Sequence, residues 1–421
     1  STTDGGPLSF SALDHGKSTT GALFLFYGSW QIHRQRWTIG MGMLWALVVM
    51  HVFHGVLVRV YALLFNVVVH AQDYDNSGGG GGGFDASAPE AAAAGGADAT
   101  TKELVPAMFV FGDSLIDNGN NNDLASLAKA NYFPYGIDFN GGPTGRFSNG
   151  YTMVDEIAEL LGLPLIPAYS QASNSADQML HGINFASAAA GILDNTGGNF
   201  VGRIPFNQQI NNFKSSLDQI SNALGAADLG QALSRCIFFV GMGSNDYLNN
   251  YLMPNYPTRN QYDGNQYADL LSQEYTTQLK QLYNLGARKF VLAGLGLMGC
   301  IPSILAQSTT GSCSDDVNQL VLPFNANMKT MINNLSTSLP GSKFVFIDVY
   351  NMFQDILANA RSYGFSVVNR GCCGIGRNRG QITCLPFQTP CPNRNEYVFW
   401  DAFHPTDAVN VLMGKKAFSD G

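Results

Sequence analysis

The chain has 421 residues, of which 45% are hydrophobic and only 13% charged, and its formal net charge is −8. Ordinary apolar content with little charge excludes a coiled coil, a collagen and wholesale disorder. The acidic balance argues against nucleic-acid binding, which requires a basic surface.

The charge is unevenly spread, and the first hundred residues read differently from the rest. Residues 1–72 hold Lys17, Arg34, Arg36 and Arg59 against Asp4 and Asp14, whereas residues 73–100 hold five acidic residues and no base. Ile39 to Val58 carries no Lys, Arg, Asp or Glu, and the apolar run resumes after Arg59 as far as Val69. Such a stretch of ~20 residues is long enough to span a bilayer, and Arg34 and Arg36 supply a basic flank. The first reading is a secretory signal that starts near Met41 or Met43 and is removed after Val69-His70-Ala71. A retained signal anchor is the alternative, and a mispredicted exon is the third. His51 and His54 have no Cys, Asp or Glu nearby and read as incidental to the apolar run, not as a metal pair. Six consecutive glycines, Gly78 to Gly83, and the run Ala91 to Ala94 have the composition of a linker. The expected organisation is therefore a leader over 1–71, an acidic linker over 72–103 and one folded domain over 104–421.

In that domain strand-like and helix-like segments alternate. Ala107–Phe111, Gly182–Ala186, Cys236–Val240, Lys289–Ala293 and Lys343–Ile347 are short apolar runs that read as buried strands. Helical spacing appears over Tyr151–Leu161, Tyr267–Leu285, Val317–Leu339, Tyr350–Arg361 and Pro405–Ala417. Five apolar strands alternating with helices predict an α/β fold with a parallel sheet covered on both faces. The active site of such a sheet lies beyond the carboxyl ends of its strands.

Three strand ends carry suggestive chemistry. Gly112-Asp113-Ser114-Leu115 follows the first strand; Ser114 there is either a helix cap or a hydroxyl nucleophile projected above the sheet. Gly191 follows the second strand, where a small residue lets the backbone N–H approach a substrate. Gly241-Met-Gly243-Ser-Asn245-Asp246 follows the third; Asn245 is either part of a helix cap or an amide donor for a developing oxyanion. Near the end stands Asp401-Ala-Phe-His404-Pro405. Of seven histidines only His181 and His404 follow residue 104, so a serine that needs a base near neutral pH has little choice. Asp401 is placed to take the other ring nitrogen, and Pro405 to open the last helix. His181 precedes a strand and reads as structural or solvent-facing.

These blocks together resemble the plant GDSL esterase/lipase family of the SGNH hydrolase superfamily. The likeness runs through Phe109–Asn121, Gly145–Gly150, Asn184–Leu193, Gly243–Asp246 and Tyr397–Pro405, and spans nearly all of 104–421. It implies a flavodoxin-like three-layer α/β/α sandwich with a five-stranded parallel sheet. It also implies Ser114 as nucleophile, His404 as base and Asp401 as its orienting partner. The N–H groups of Ser114 and Gly191 and the side-chain amide of Asn245 would form the oxyanion hole. The implied activity is serine-dependent hydrolysis of carboxylic esters. An acyltransferase using the same acyl-enzyme, or a non-catalytic binding member of the fold, is the alternative. No cofactor or metal is required. The expected partner is a small-molecule or polymer-linked ester, with no nucleic acid, a membrane only through an uncleaved leader, and a monomeric state. Leu297-Met298 stands where such proteins often carry Pro-Leu, a departure expected to perturb a loop. The family usually continues past the position of Gly421. Loops such as 166–181 and 248–266 are expected to shape the substrate site.

All seven cysteines follow residue 235. Cys236 opens a strand and reads as a free core thiol, and Cys300 and Cys313 are close enough for a local bridge. Cys372, Cys373, Cys384 and Cys391 allow three pairings, of which the adjacent pair is geometrically the poorest; a zinc site is the rival for this cluster. Bridges here would hold the loop that carries His404, and disulfides fit a secreted protein. Asn334-Leu-Ser336 is a glycosylation sequon on a predicted helix.

Overall fold

A computed structural model describes residues 103–172, 177–225 and 227–420. The leader, His51, His54 and all of the expected linker but its last residue lie outside the described residues.

Aromatic and β-branched side chains favour a pleated backbone, and four of the anticipated runs form one parallel sheet. Its strands are β1 (Met108–Gly112), β2 (Ile237–Gly241), β3 (Lys289–Ala293) and β4 (Lys343–Ile347), hydrogen-bonded in that order. The register aligns the strand ends: Gly112 pairs with Gly241, Gly241 with Ala293 and Ala293 with Ile347. All four chains therefore leave the sheet along one edge, where their following residues converge.

The expected fifth strand, Gly182–Ala186, does not complete a regular ladder. It lies along the free edge of β1 and makes parallel bonds: Val110 N–H donates to the Ile183 carbonyl at 3.0 Å and Phe185 N–H to the Val110 carbonyl at 2.7 Å. Gly182 has φ +113°, a conformation open to glycine. The Asn184 carboxamide accepts from the Ala186 N–H at 2.9 Å, so that N–H does not continue a ladder beyond Asn184. Asn184 alone bridges Val110 and Ala168. The segment nevertheless occupies the outer place of the order implied by a flavodoxin-like sandwich.

Period-two alternation sends successive strand residues to opposite faces. Phe109, Phe111, Phe238, Val240, Phe290 and Leu292 enter one core. Met108, Val110, Phe239, Ala293 and Ile347 enter the other. The helices divide accordingly. On the first face lie α2 (Phe206–Ser215), α3 (Gly264–Asn284) and α4 (Asp315–Ser338); on the second lie α1 (Met153–Leu160), α5 (Val349–Ala358) and α6 (Asp407–Asp420). Capping explains several boundaries. Asp263 accepts from Gln266 N–H at 2.9 Å while the Gln266 side chain accepts from Asp263 N–H at 3.0 Å, a reciprocal box that starts α3. Gly286, at φ +115°, follows its end. The helix expected over 350–361 stops at Ala358 and tightens into a 3-10 turn over Ala360–Tyr363.

A second, two-stranded parallel sheet was not anticipated. It pairs β5 (Val367–Gly371) with β6 (Tyr397–Phe399). Both strands are short and β5 is partly polar, so neither carries a clear pattern. Among the described residues no helix is long and apolar enough to cross a membrane.

Candidate active site

Gly112 ends β1 where only a glycine fits: an added Cβ would lie 2.7 Å from the Gly241 carbonyl oxygen. Buried Gln209 locks this turn, since its oxygen accepts from Gly112 N–H at 3.0 Å and its amide donates to the Gly112 carbonyl at 2.8 Å. The chain then turns upward through Asp113, and the next side chain, Ser114, faces the crevice. Its Oγ lies 2.8 Å from His404 Nε2.

His404 arrives from the opposite end of the domain. Strand β6 delivers Trp400 and Asp401, and a tight turn closes when Trp400 N–H donates to the His404 carbonyl at 2.8 Å. Asp401 Oδ1 accepts from the backbone N–H groups of Phe403 and His404, each at 2.8 Å. His404 Nδ1 stands 2.8 and 2.9 Å from the two carboxylate oxygens. An ionised carboxylate only accepts, so Nδ1 carries the proton and Nε2 is left to accept from the Ser114 hydroxyl. Burial would raise the Asp401 pKa, but His404, the Tyr135 hydroxyl and the Phe403 N–H outweigh it and hold the group below the usual carboxylate value. The ring of Phe147 packs on His404 at 5.0 Å. Pro405 does not open the last helix: it bridges Phe399, and α6 starts two residues later at Asp407. The turn that binds Asp401 to His404 uses the residues that an earlier helix start would need.

The three expected oxyanion donors are each fixed by neighbours. Gly191 is hemmed in, because a Cβ there would meet Thr196 Cγ2 at 2.4 Å and Asp246 Oδ1 at 2.7 Å. Asp246 caps no helix of its own. Its carboxylate accepts from Ile192 N–H at 2.8 Å, Leu193 N–H at 3.1 Å and the Thr196 hydroxyl at 2.7 Å, so it shapes the turn that follows Gly191. Asn245 donates one amide hydrogen to the Ala190 carbonyl at 2.9 Å and accepts from Asn249 Nδ2 at 2.5 Å. Its second amide hydrogen has no acceptor among the described residues, and neither do the backbone N–H groups of Ser114 and Gly191.

Asparagines and buried acids tie these turns together, a role that local reading missed. Asn120 donates to the carbonyls of Asn184 and Ala186 at 2.8 and 2.7 Å. Asn121 donates to the Ala188 carbonyl at 3.1 Å, and Asp117 accepts from Ala188 N–H at 2.9 Å. Burial pushes Asp113 up to about 7 and Asp117 and Asp246 each up to about 6. Arg146 forms a buried, two-pronged pair with Asp155 at 2.8 Å for each bond, well suited to its planar fork. Tyr135, which donates to Asp401 Oδ2 at 2.6 Å, was also missed.

Ser114, Asn245 and His404 open on a largely apolar cleft of about 200 Å³. Leu115, Leu127, Tyr132, Phe200 and Thr383 line it, together with Met153, Leu297, Met298, Phe353, Phe399 and Met413. The departure at Leu297-Met298 thus falls in the cleft wall itself. Of the two loops expected to shape the site, 248–266 contributes Leu248 and Asn249, and the described part of 166–181 contributes nothing.

The bridges are Cys300–Cys313, Cys372–Cys391 and Cys373–Cys384. The last two brace the strand before Asp401, since Cys372 N–H donates to the Phe399 carbonyl at 2.9 Å and Cys373 N–H to that of Trp400 at 2.7 Å. Cys236 is a free, buried thiol. Burial pushes its pKa up to about 11. His181 is half-buried, with Nδ1 3.4 Å from Glu103. Asn334 is exposed on α4.

Residues 108–417 match the model of the GDSL-like Lipase/Acylhydrolase family. Among similar proteins is the GDSL esterase/lipase At1g71691 of Arabidopsis thaliana, 69% identical over 317 residues, or 75% of this chain and 82% of the relative. The Arabidopsis GDSL esterase/lipase At1g29670 is 53% identical over 328 residues, covering 76% and 89% of the two chains. GDSL esterase/lipase 7 of the same plant is 51% identical over 322 residues, covering 75% and 88%.

Proposed function

The chain belongs to the GDSL-like lipase/acylhydrolase family and is a carboxylic ester hydrolase, and we propose that Ser114, His404 and Asp401 carry its chemistry through an acyl-enzyme. The observation that carries this reading is the unbroken relay from Asp401 through His404 Nδ1 and Nε2 to Ser114 Oγ, with bonds of 2.8 Å on either side of the ring.

His404 Nε2 takes the Ser114 proton as Oγ attacks the ester carbonyl. The imidazolium is stabilised by Asp401, whose charge is maintained by three donors besides the ring. Negative charge on the carbonyl oxygen is met by the N–H groups of Ser114 and Gly191 and by the free amide hydrogen of Asn245. The tetrahedral intermediate collapses, His404 returns the proton to the leaving alcohol, and the acyl group stays on Ser114. Water then attacks in the same manner, giving its proton to His404, which passes it to Ser114 Oγ as the acid is released. Hydrolysis of p-nitrophenyl butyrate by wild type and Ser114→Ala tests this sequence. Equal rates would end it.

The apolar cleft supports an acyl chain of several methylenes in preference to acetyl. Each buried methylene contributes about 0.8 kcal/mol, or roughly fourfold in kcat/KM while the wall continues to cover the chain. A panel of p-nitrophenyl esters from acetate upward should show that rise, and a preference for acetate would refute it. Three disulfides fit an oxidising compartment, and we place the enzyme outside the cell. Detection of the tagged protein in the apoplastic fluid of an expressing plant tests that placement.

A further inference from the structure

Asp401 receives three of its four partners from His404 and the turn between them. The fourth comes from far away in sequence. Tyr135 OH donates to Oδ2 at 2.6 Å, and both side chains are buried, Tyr135 to 1% exposure and Asp401 to none. The phenol ring is fixed edge-on by Tyr132 at 5.3 Å, Phe147 at 5.8 Å and Trp400 at 6.0 Å. Phe147 is the ring that also packs on His404. The hydroxyl has one other neighbour, Thr383 Oγ1 at 3.4 Å, on the loop closed by Cys373–Cys384.

We propose that Tyr135 is a positioning residue for hydrolysis, holding the Asp401 carboxylate in the orientation that serves His404 and sharing its charge. The inference rests on the triad reading above. Without the phenol, Oδ1 keeps its two backbone donors but Oδ2 is left with His404 Nδ1 alone; a buried carboxylate oxygen short of a donor is costly, and a carboxylate held on one side no longer presents a fixed acceptor to Nδ1. Tyr135 can act only as a neutral donor, because burial, then the nearby Asp401 charge, raise its pKa well above the ordinary phenol value. Other titratable groups nearby are Tyr132, which faces Asp401 and Tyr135, and Asp113, which faces His404, with Lys129 in the cleft wall.

The sign of the effect follows. Removing the donor leaves the carboxylate's charge less dispersed, so the Asp401–His404 pair holds its shared proton more tightly. The acid limb of kcat/KM should therefore move to higher pH in Tyr135→Phe, which keeps the ring and its packing. A hydrogen bond to a charged group corresponds to a loss of about 10- to 100-fold in kcat, with KM little changed. In an Asp401→Ala background the same substitution should cost less than about threefold, since the group it acts through is gone. Replacing Tyr135 by 3,5-difluorotyrosine, a stronger donor of nearly the same shape, should move the acid limb to lower pH. That variant also decides the matter if Tyr135→Phe proves too unstable to assay. An unmoved acid limb, or losses from Tyr135→Phe and Asp401→Ala that multiply, would overturn the proposal. Failure of Ser114→Ala to abolish hydrolysis would instead overturn the triad reading, so the two are separable.

Discussion

Asn245 is the sharpest place to test the oxyanion assignment, because of the three bonding positions of its carboxamide two have known uses and one is left over. Oδ1 accepts from Asn249, one amide hydrogen goes to the Ala190 carbonyl, and the other faces the cleft shared with Ser114 and His404. Asn245→Ala removes all of them. The stability loss should be about 1–3 kcal/mol, the cost of leaving the Ala190 carbonyl and the Asn249 amide with fewer partners. The kinetic loss should be larger and of a different kind: a missing oxyanion donor costs about 10²–10³ in kcat, because the bond strengthens as charge develops on the carbonyl oxygen. KM should change little, since the neutral ester makes weak use of the same hydrogen. Asn245→Asp sharpens the contrast. It keeps the shape and the acceptor for Asn249 but points a carboxylate at both the Ala190 carbonyl and the oxyanion, so its kcat should fall below that of Asn245→Ala. The assay is steady-state hydrolysis of p-nitrophenyl butyrate beside thermal melts of each variant. A kcat within about fivefold of wild type in Asn245→Ala, or an Asn245→Asp variant more active than Asn245→Ala, would refute the assignment.

Further outcomes follow from other parts of the structure. Asp113 has a folded pKa of about 7, above the ordinary carboxylate value, so the folded state holds this proton more tightly than the unfolded one. Its contribution to stability is complete below about pH 4 and is lost as pH rises through about 7. Asp113→Asn keeps an acceptor for Leu115 N–H and removes the titration, so its melting temperature relative to wild type should climb across that window; a constant offset would contradict this. Cys373→Ser with Cys384→Ser should lower stability by about 2–4 kcal/mol in non-reducing melts. It should also lower kcat, because the bridge braces Trp400 and the loop that carries Thr383. Met413→Trp puts bulk into the cleft wall and should depress kcat/KM for p-nitrophenyl decanoate at least tenfold more than for the acetate; equal effects on both would exclude Met413 from the acyl path.

What could be read from sequence, and what could not, divides along a physical line. Strands β1 to β4 were legible because a parallel strand covered on both faces is a continuous apolar run. That Ser114, Asp401 and His404, the proposed triad, meet at one place was legible because chemistry collects at strand ends and because one histidine alone was placed to serve. Gly182–Ala186 looked like the other strands, yet Gly182 takes a positive φ and the Asn184 side chain draws the Ala186 N–H into a local bond. Strands β5 and β6 are five and three residues long, too short for a period to emerge. The pairing of the four clustered cysteines is one choice among three, made by where β5 and β6 lie.

Asp246 and Tyr135 show the deeper reason. Asp246 stands beside a helix start, where an acid commonly serves as a cap, but its carboxylate serves Ile192, Leu193 and Thr196, some fifty residues earlier. Tyr135 and Asp401 are separated by 266 positions and share one hydrogen bond. Single side-chain bonds between distant loops have no period and leave no local signature, whereas burial repeats every second residue along a strand and marks the whole segment. The proposed triad lies at the junction of both kinds of information. Periodic burial brings the strand ends to one edge, and aperiodic bonds from Asn120, Asn121, Asp117, Asp246 and Tyr135 hold the turns on either side of Gly191 and the Asp401 carboxylate along that edge. The sheet can survive the loss of any one of these bonds more easily than catalysis can, because kcat depends on displacements of about an ångström that folding free energy hardly registers. Substitutions at these side-chain bonds should therefore separate activity from stability, with kcat falling by orders of magnitude in proteins that still melt cooperatively.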